Sequence, residues 1–260
     1  MCRQARSLRY LYVCIALCPL WLPACRQAGV TKKSAYIRGM NHPSPRAFIF
    51  DMDGTIVDNI PYHFKAWEQV FLDHGRVFDP VTFHARNTGT IEETVRKFFG
   101  DDLTLEEVYQ VGEEKESAYR RLYQPHVKEL DGLTSLLKRA ATNGIHTALA
   151  TMGGPANIDM VMQELGITDL FHFIIGGHQV SKGKPDPEIF QKAIAHFGIE
   201  PAHTLVFEDS HPGVKAALAA GADVVGICTT HSKEEFREWG VERTIDNYET
   251  FSRLYFPATS

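Results

Sequence analysis

The sequence predicts an α/β fold: a doubly wound, mostly parallel sheet with an all-helical block inserted after its first strand. Three observations carry that prediction. An apolar run, Phe48-Ile49-Phe50, enters two carboxylates at Asp51 and Asp53. Strand signals are then absent from about residue 60 to 125. Beyond Pro125, helical and strand patterns alternate to about residue 227. A short continuous apolar run reads as a strand covered on both faces, and βα alternation gives a parallel sheet with helices on both sides.

The elements follow in order. Residues 61–74 place Phe64, Trp67, Val70 and Phe71 at helical spacing. Further helices are predicted near 90–99 (Ile91, Val95, Phe98, Phe99) and over 104–123 (Leu105, Val108, Val111, Tyr119, Leu122). Then come helix 131–142, strand 145–151, helix 155–165, strand 172–175, helix 187–197, strand 204–208, helix 211–220 and strand 223–227. The resulting organisation is a Rossmann-like core from 46–60 and 126–260, a helical cap over 61–125, and an extension at 1–45 outside the fold. A chain of 260 residues is long enough to bury a sizeable core.

In such sheets chemistry gathers at the carboxyl ends of strands. Asp51 and Asp53 repel one another, so the pair implies a divalent cation, a shared proton, or a division into nucleophile and acid; the structural alternative is an Asp-Gly turn. Thr151, followed by Met152-Gly153-Gly154, suits a phosphate at a helix start, and equally suits an N-cap. Lys184 sits in a proline-stiffened loop, Gly183-Lys184-Pro185-Asp186-Pro187, where an ammonium would neutralise phosphate oxygens and lower a neighbouring carboxylate's pKa. Its alternative, a solvated loop lysine, is already supplied by Lys182. Glu208 and Asp209 form a second acidic pair at a strand end. Together with Asp51 they offer oxygen ligands to a hard cation, Mg2+ above all.

Asp51-Met52-Asp53-Gly54-Thr55, Thr151, Lys184 and Glu208-Asp209 resemble the four signature motifs of the haloacid dehalogenase superfamily. The cap position and Val206-Phe207-Glu208-Asp209-Ser210 resemble its β-phosphoglucomutase-like phosphatase branch. The resemblance covers roughly residues 46–255. It implies Asp51 as a nucleophile forming an aspartyl-phosphate and Asp53 as general acid and base. It also implies Mg2+ held by Asp51, the Asp53 backbone carbonyl and Asp209 with Glu208 in support, and Thr151 and Lys184 binding the phosphate. A carboxylate attacks a phosphate dianion only when charge is cancelled, which cation and lysine would do together. The same charges near Asp51, but not at the Asp53 side chain, would keep Asp51 ionised while Asp53 carries a proton.

The resemblance extends to substrate residues: His63 and Trp67, the cap loop Thr88-Gly89-Thr90, and Lys115. Stacking of His63 on Trp67, one helical turn away, would give the histidine a defined face. Two departures stand out. Mutases carry an arginine just past the cap glycine to hold a second phosphate, whereas this chain has Ile91, Glu92 and Glu93. Gly153-Gly154-Pro155 also replaces the polar residues often found there. Both favour a phosphatase of a small phosphorylated metabolite, a sugar phosphate first, over a β-phosphoglucomutase. A non-catalytic binding module would be expected to have lost one of Asp51, Asp53, Lys184 or Asp209.

The net charge of -5 is unevenly spread. Residues 1–45 hold seven basic residues and no acid, leaving 20 basic against 32 acidic in the remainder. An acidic body argues against nucleic acid as a partner. Four of five cysteines (2, 14, 18 and 25) lie in the extension, and Cys228 alone in the body, which suits a reducing cytoplasm. Arg3 to Arg9 followed by an apolar stretch resembles an export signal, and Leu22-Pro23-Ala24-Cys25 a lipidation box. The reading preferred is sequence upstream of a start at Met40, with export or a lipid anchor as the alternative. The stretch is too short to span a membrane. No stable membrane association is expected, and the oligomeric state is expected to be monomer or weak homodimer.

Overall fold

The computed structural model describes residues 44–86 and 90–256. The expectations for 1–43, for Thr88 and for Gly89 lie outside the described residues. Chain order is β1 (Ala47–Phe50), α1 (Ile60–Asp73), α2 (Pro80–Arg86), α3 (Ile91–Phe99), α4 (Leu105–Tyr123), α5 (Leu133–Thr142), β2 (His146–Ala150), α6 (Pro155–Leu165) and β3 (Phe173–Ile175). It continues with α7 (Glu188–His196), β4 (Thr204–Glu208), α8 (His211–Ala219), β5 (Asp223–Ile227), α9 (Lys233–Glu238), β6 (Thr244–Ile245) and α10 (Tyr248–Tyr255). The six strands form one sheet in the order β3-β2-β1-β4-β5-β6, and every pairing is parallel.

Alternation along β1 divides two cores. Phe48 and Phe50 face α5, α6 and α10, while Ala47 and Ile49 face α7 and α8. Phe50 lies in register with Phe207 of β4, and their rings stack at 4.6 Å. Full burial of one such ring contributes about 1.5–3 kcal/mol. The winding reverses around β1, so the carboxyl ends of β1 and β4 adjoin the crevice where open α/β sheets bind ligands.

The helical insertion, α1 to α4, has its own core of Trp67, Val70, Phe71, Phe83, Val95, Phe99, Val108 and Val111. Helix α4 serves both halves, because Ala118, Tyr119 and Tyr123 pack into the core on the α5 face of the sheet. The two connections to the insertion run side by side at Val57 and Glu129, where Leu130 N–H donates to the Ile56 carbonyl.

Four elements were not expected: α2, α9, β6 and α10. β6 has two residues and α9 six, too short for a periodic pattern; α10 is marked by its buried face at Tyr248, Phe251 and Tyr255. Helix α5 starts at Leu133 rather than 131 because Gly132 takes φ +90, where a Cβ would stand 2.6 Å from the Glu249 nitrogen. The fold also begins before residue 46: Pro45 is buried, and the Ser44 carbonyl accepts from His203 Nδ1. No described helix is long and apolar enough to cross a membrane.

Candidate active site

β1 delivers Asp51 to the lip of the sheet, and its backbone N–H continues the ladder to the Phe207 carbonyl. Lys184 Nζ donates to Asp51 Oδ1 at 2.6 Å, to Glu208 Oε1 at 2.8 Å and to the Ala150 carbonyl at 3.3 Å. All three charged groups are buried. Glu208 is fixed from its far side, since Oε2 accepts from both the N–H and the hydroxyl of Ser210. Asp209 Oδ2 accepts from Thr230 at 2.5 Å, and Thr55 approaches Oδ1 at 3.4 Å. Glycine is required at two of these approaches. A Cβ on Gly54, which has φ +75, would lie 2.1 Å from Asp209 Oδ2, and one on Gly213 would lie 1.7 Å from Glu208 Oε1.

Ligand oxygens of Asp51, Glu208 and Asp209 lie within 4.8 Å of one another. Three carboxylates against the single Lys184 ammonium leave a buried formal charge of -2. Burial pushes Asp51 up to about 8, with Glu208 and Asp53 adding to the rise and Lys184 opposing it. Burial, then Glu208 and Asp51, also holds Asp209 well above the carboxylate range. Burial disfavours the Lys184 ammonium, but Asp51 and Glu208 outweigh it and raise its pKa. An all-oxygen set that shares too much negative charge fits a hard dication.

Asp53 faces a different environment. Its Oδ1 accepts from Asn59 Nδ2 at 2.6 Å, and His63 Nε2 stands 3.4 Å away, within ion-pair distance but without a hydrogen bond to it. Lys115 Nζ, itself buried, donates to His63 Nδ1 at 2.8 Å. An ammonium has only donors, so the neutral imidazole carries its proton on Nε2, toward Asp53. Burial raises Asp53, but His63, Asn59 and Lys115 outweigh it and hold the carboxyl below its usual range. Without a cation, then, the Asp51 carboxyl is shifted up and the Asp53 carboxyl down; the expected division concerns the site with a cation beside Asp51. Burial raises both carboxyls; at Asp51 the charges of Glu208 and Asp53 add to the rise, whereas at Asp53 His63, Asn59 and Lys115 outweigh it.

Thr151 is buried, and its hydroxyl accepts from the Gly153 N–H at 3.0 Å. It is not the N-cap of α6; that position belongs to Gly154, with Pro155 next. Gly153 is needed for this approach, because its Cβ would stand 3.0 Å from Met52 and 3.3 Å from the Thr151 hydroxyl. Trp67 differs from expectation. It is 3% exposed inside the insertion's core, 5.4 Å from the Phe83 ring, and its polar neighbour is Lys115 rather than open space. His63 stacks instead on Tyr119, with centroids 3.8 Å apart and planes 9° apart. Thr90 caps α3 in a reciprocal box with Glu93 and borders a cavity of about 770 Å³ between α3, α4 and the loop after β2.

Asn59, Tyr119, Ser210, Thr230 and Asn157 were missed as site residues. Asn59 is fully buried and is the N-cap position of α1, yet its side chain caps nothing in that helix. It accepts from Gly54 N–H and donates to Asp53 and to the Tyr119 hydroxyl. Its signal was an asparagine at a helix start with no partner acid three residues on.

A family model described as haloacid dehalogenase-like hydrolase matches residues 48–227. A protein from Thermotoga maritima named phosphorylated carbohydrates phosphatase is 31% identical over 182 residues, covering 68% of this chain and 82% of its own. The beta-phosphoglucomutase of Bacillus subtilis is 32% identical over 192 residues, 70% of this chain and 83% of the relative. Among solved structures, a haloacid dehalogenase hydrolase of family IA, variant 3, from Entamoeba histolytica superposes with a TM-score of 0.73. It is 26% identical and covers 81% of this chain and 97% of that one. The matched span runs from the first strand to the fifth and contains, in order, every group that converges on Asp51; the chain belongs to the haloacid dehalogenase-like hydrolase family.

Proposed function

We propose that this protein is a Mg2+-dependent phosphomonoesterase that takes phosphate from a small phosphorylated metabolite, a sugar phosphate first, through an aspartyl-phosphate on Asp51. The observation that carries the reading is the buried Asp51–Lys184–Glu208 arrangement beside Asp209, with Asp53 held apart on a separate set of donors. The names of the carbohydrate phosphatase and the phosphoglucomutase support the substrate class.

Asp51 attacks phosphorus, forming a carboxylate-oxygen-to-phosphorus bond as the ester oxygen's bond to phosphorus breaks. Asp53 gives that oxygen its proton, and in the second half takes a proton from the water that opens the acyl phosphate. Asp53 is ionised at rest, which suits the second role; an arriving phosphate dianion favours its protonated form for the first. Lys184 and Thr151 hold phosphate oxygens. Asp51, Asp209 and the Asp53 carbonyl, with Glu208 in support, would hold Mg2+, which would supply charge neutralisation and orientation. Phosphate monoesters hydrolyse so slowly in water that positioning and electrostatics must provide most of the rate.

A mutase reading is favoured by the phosphoglucomutase relative and opposed by the cap. Glu93 is committed to the Thr90 capping box. Arg96 is bonded to Glu92 and to the Asp101 and Leu103 carbonyls, and Arg86 lies over the Phe98 ring. Incubation with β-glucose 1-phosphate and a trace of the 1,6-bisphosphate separates the two. Free phosphate is the expected product, and accumulation of glucose 6-phosphate would reverse the choice. We place the activity in the cytoplasm, in a monomer or weak homodimer.

A further inference from the structure

A chain of polar contacts leaves Asp53, passes through the insertion and ends on the sheet half. Lys115 Nζ, which holds His63, also donates to Glu116 Oε1 at 2.9 Å. The other Glu116 oxygen accepts from Asn157 Nδ2 at 2.6 Å, and Asn157 Oδ1 accepts from Arg120 at 3.0 Å. Arg120 in turn donates to Glu113 at 2.5 Å. Glu113, Lys115, Glu116 and Arg120 all lie on α4, and His63 on α1. Asn157 alone lies on α6, just past the Thr151 loop, and is 2% exposed.

The asparagine amide uses both ends, as a donor to an acid and as an acceptor from an arginine one helical turn further along α4. Both bonds are charge-assisted and so among the stronger ones available. Burial raises the Glu116 carboxyl, but Lys115, His63 and the Asn157 amide outweigh it and hold it ionised. The same three residues, Glu116, Arg120 and Asn157, border the 770 Å³ cavity between the two halves.

We propose that Asn157 is a positioning residue that registers α4 against the sheet half and, through Glu116, Lys115 and His63, sets the aim of Asp53. The kinetic part of this inference rests on the phosphomonoesterase reading; the registration of α4 does not. In the phosphorylation half, a misaimed acid matters only when the leaving oxygen needs a proton. Alkyl and sugar phosphates need one, whereas p-nitrophenolate leaves without it.

The test compares Asn157→Ala with the wild type on a sugar phosphate and on p-nitrophenyl phosphate, with amide hydrogen exchange of α4 measured alongside. Expected is a fall in kcat of about 10- to 100-fold on the sugar phosphate, the range for a displaced general acid. On p-nitrophenyl phosphate the pre-steady-state burst of nitrophenolate, which reports the phosphorylation half alone, is expected to change by no more than about twofold, because that leaving group needs no proton from Asp53. Exchange of α4 becomes faster. Combining Asn157→Asp with Glu116→Gln inverts the polarity of the contact and is expected to restore both readouts. A nitrophenolate burst slowed as much as sugar-phosphate turnover, or no loss in either, would overturn the proposal, as would unchanged exchange. A wild type that turns over no phosphomonoester would instead overturn the functional reading, and with it the kinetic part. The exchange of α4 would still decide whether Asn157 registers the two halves.

Discussion

Replacing Gly213 with alanine sets a local rule against the site. Gly213 lies in the first turn of α8, and in a helix alanine is favoured over glycine by about 1 kcal/mol. The new Cβ, however, would stand 1.7 Å from Glu208 Oε1 and 1.9 Å from its carboxyl carbon. Glu208 must move, and its escape is limited because Oε2 is held by Ser210. The displaced oxygen is the one that holds Lys184 at 2.8 Å. Breaking a buried, hydrogen-bonded charge pair costs about 3–5 kcal/mol, so the net loss of stability is about 2–4 kcal/mol after the helix gain. Lys184 keeps Asp51 as its one carboxylate partner, and a shift of about 1 Å at such a centre costs on the order of 100-fold in rate. Urea unfolding and p-nitrophenyl phosphate turnover read the two effects. A variant at least as stable as the wild type with unchanged kcat would refute the claim that Gly213 exists to seat Glu208.

Other expectations follow from the same geometry. Lys184→Met removes the ammonium that Asp51 and Glu208 share, and kcat is expected to fall about 100- to 1000-fold, as for loss of one preorganised donor to developing charge; a fall below about tenfold would contradict its role. Tyr119→Phe leaves one Asn59 N–H without its partner at 2.6 Å, so denaturant unfolding should report a loss of about 1–3 kcal/mol. Without a cation, Asp51 titrates near 8 rather than the ordinary 3.8. The folded chain then binds a proton that the unfolded chain has released, so stability falls as pH rises from about 4 to 8. Mg2+ displaces that proton, so the rise in Tm on adding it should be larger at pH 8 than at pH 6; a pH-independent rise would contradict the assignment.

Much of this was legible from the chain itself. Buried strands announce themselves as apolar runs, and the groups at their carboxyl ends, Asp51, Thr151, Lys184, Glu208 and Asp209, were found because strand ends are where such sheets do chemistry. What stayed hidden depends on which way a side chain turns. Trp67 has the spacing of a core residue and is one, and its proximity in sequence to His63 does not bring it to the site. Asn59 has the identity of an N-cap, yet tertiary contacts with Asp53 and Tyr119 claim its amide. Glu92 and Glu93 looked like repulsion toward a second phosphate, and Glu93 also serves an ordinary helix start. Asn157 gave no signal, since its partners are more than 30 residues away on another helix. How the Asp51 and Asp53 carboxyls shift without a cation depends on neighbours, Glu208 on one side and His63 on the other, whose distances spacing does not give.

The central claim is that Asp51 becomes phosphorylated. Rapid acid quench during steady-state turnover of a sugar phosphate with Mg2+, followed by peptide mass mapping, tests it directly. A phosphoryl group on the peptide containing Asp51, absent in Asp51→Asn together with all turnover, is the predicted result. Full turnover by Asp51→Asn, or a phosphoryl group on any other residue, would contradict it.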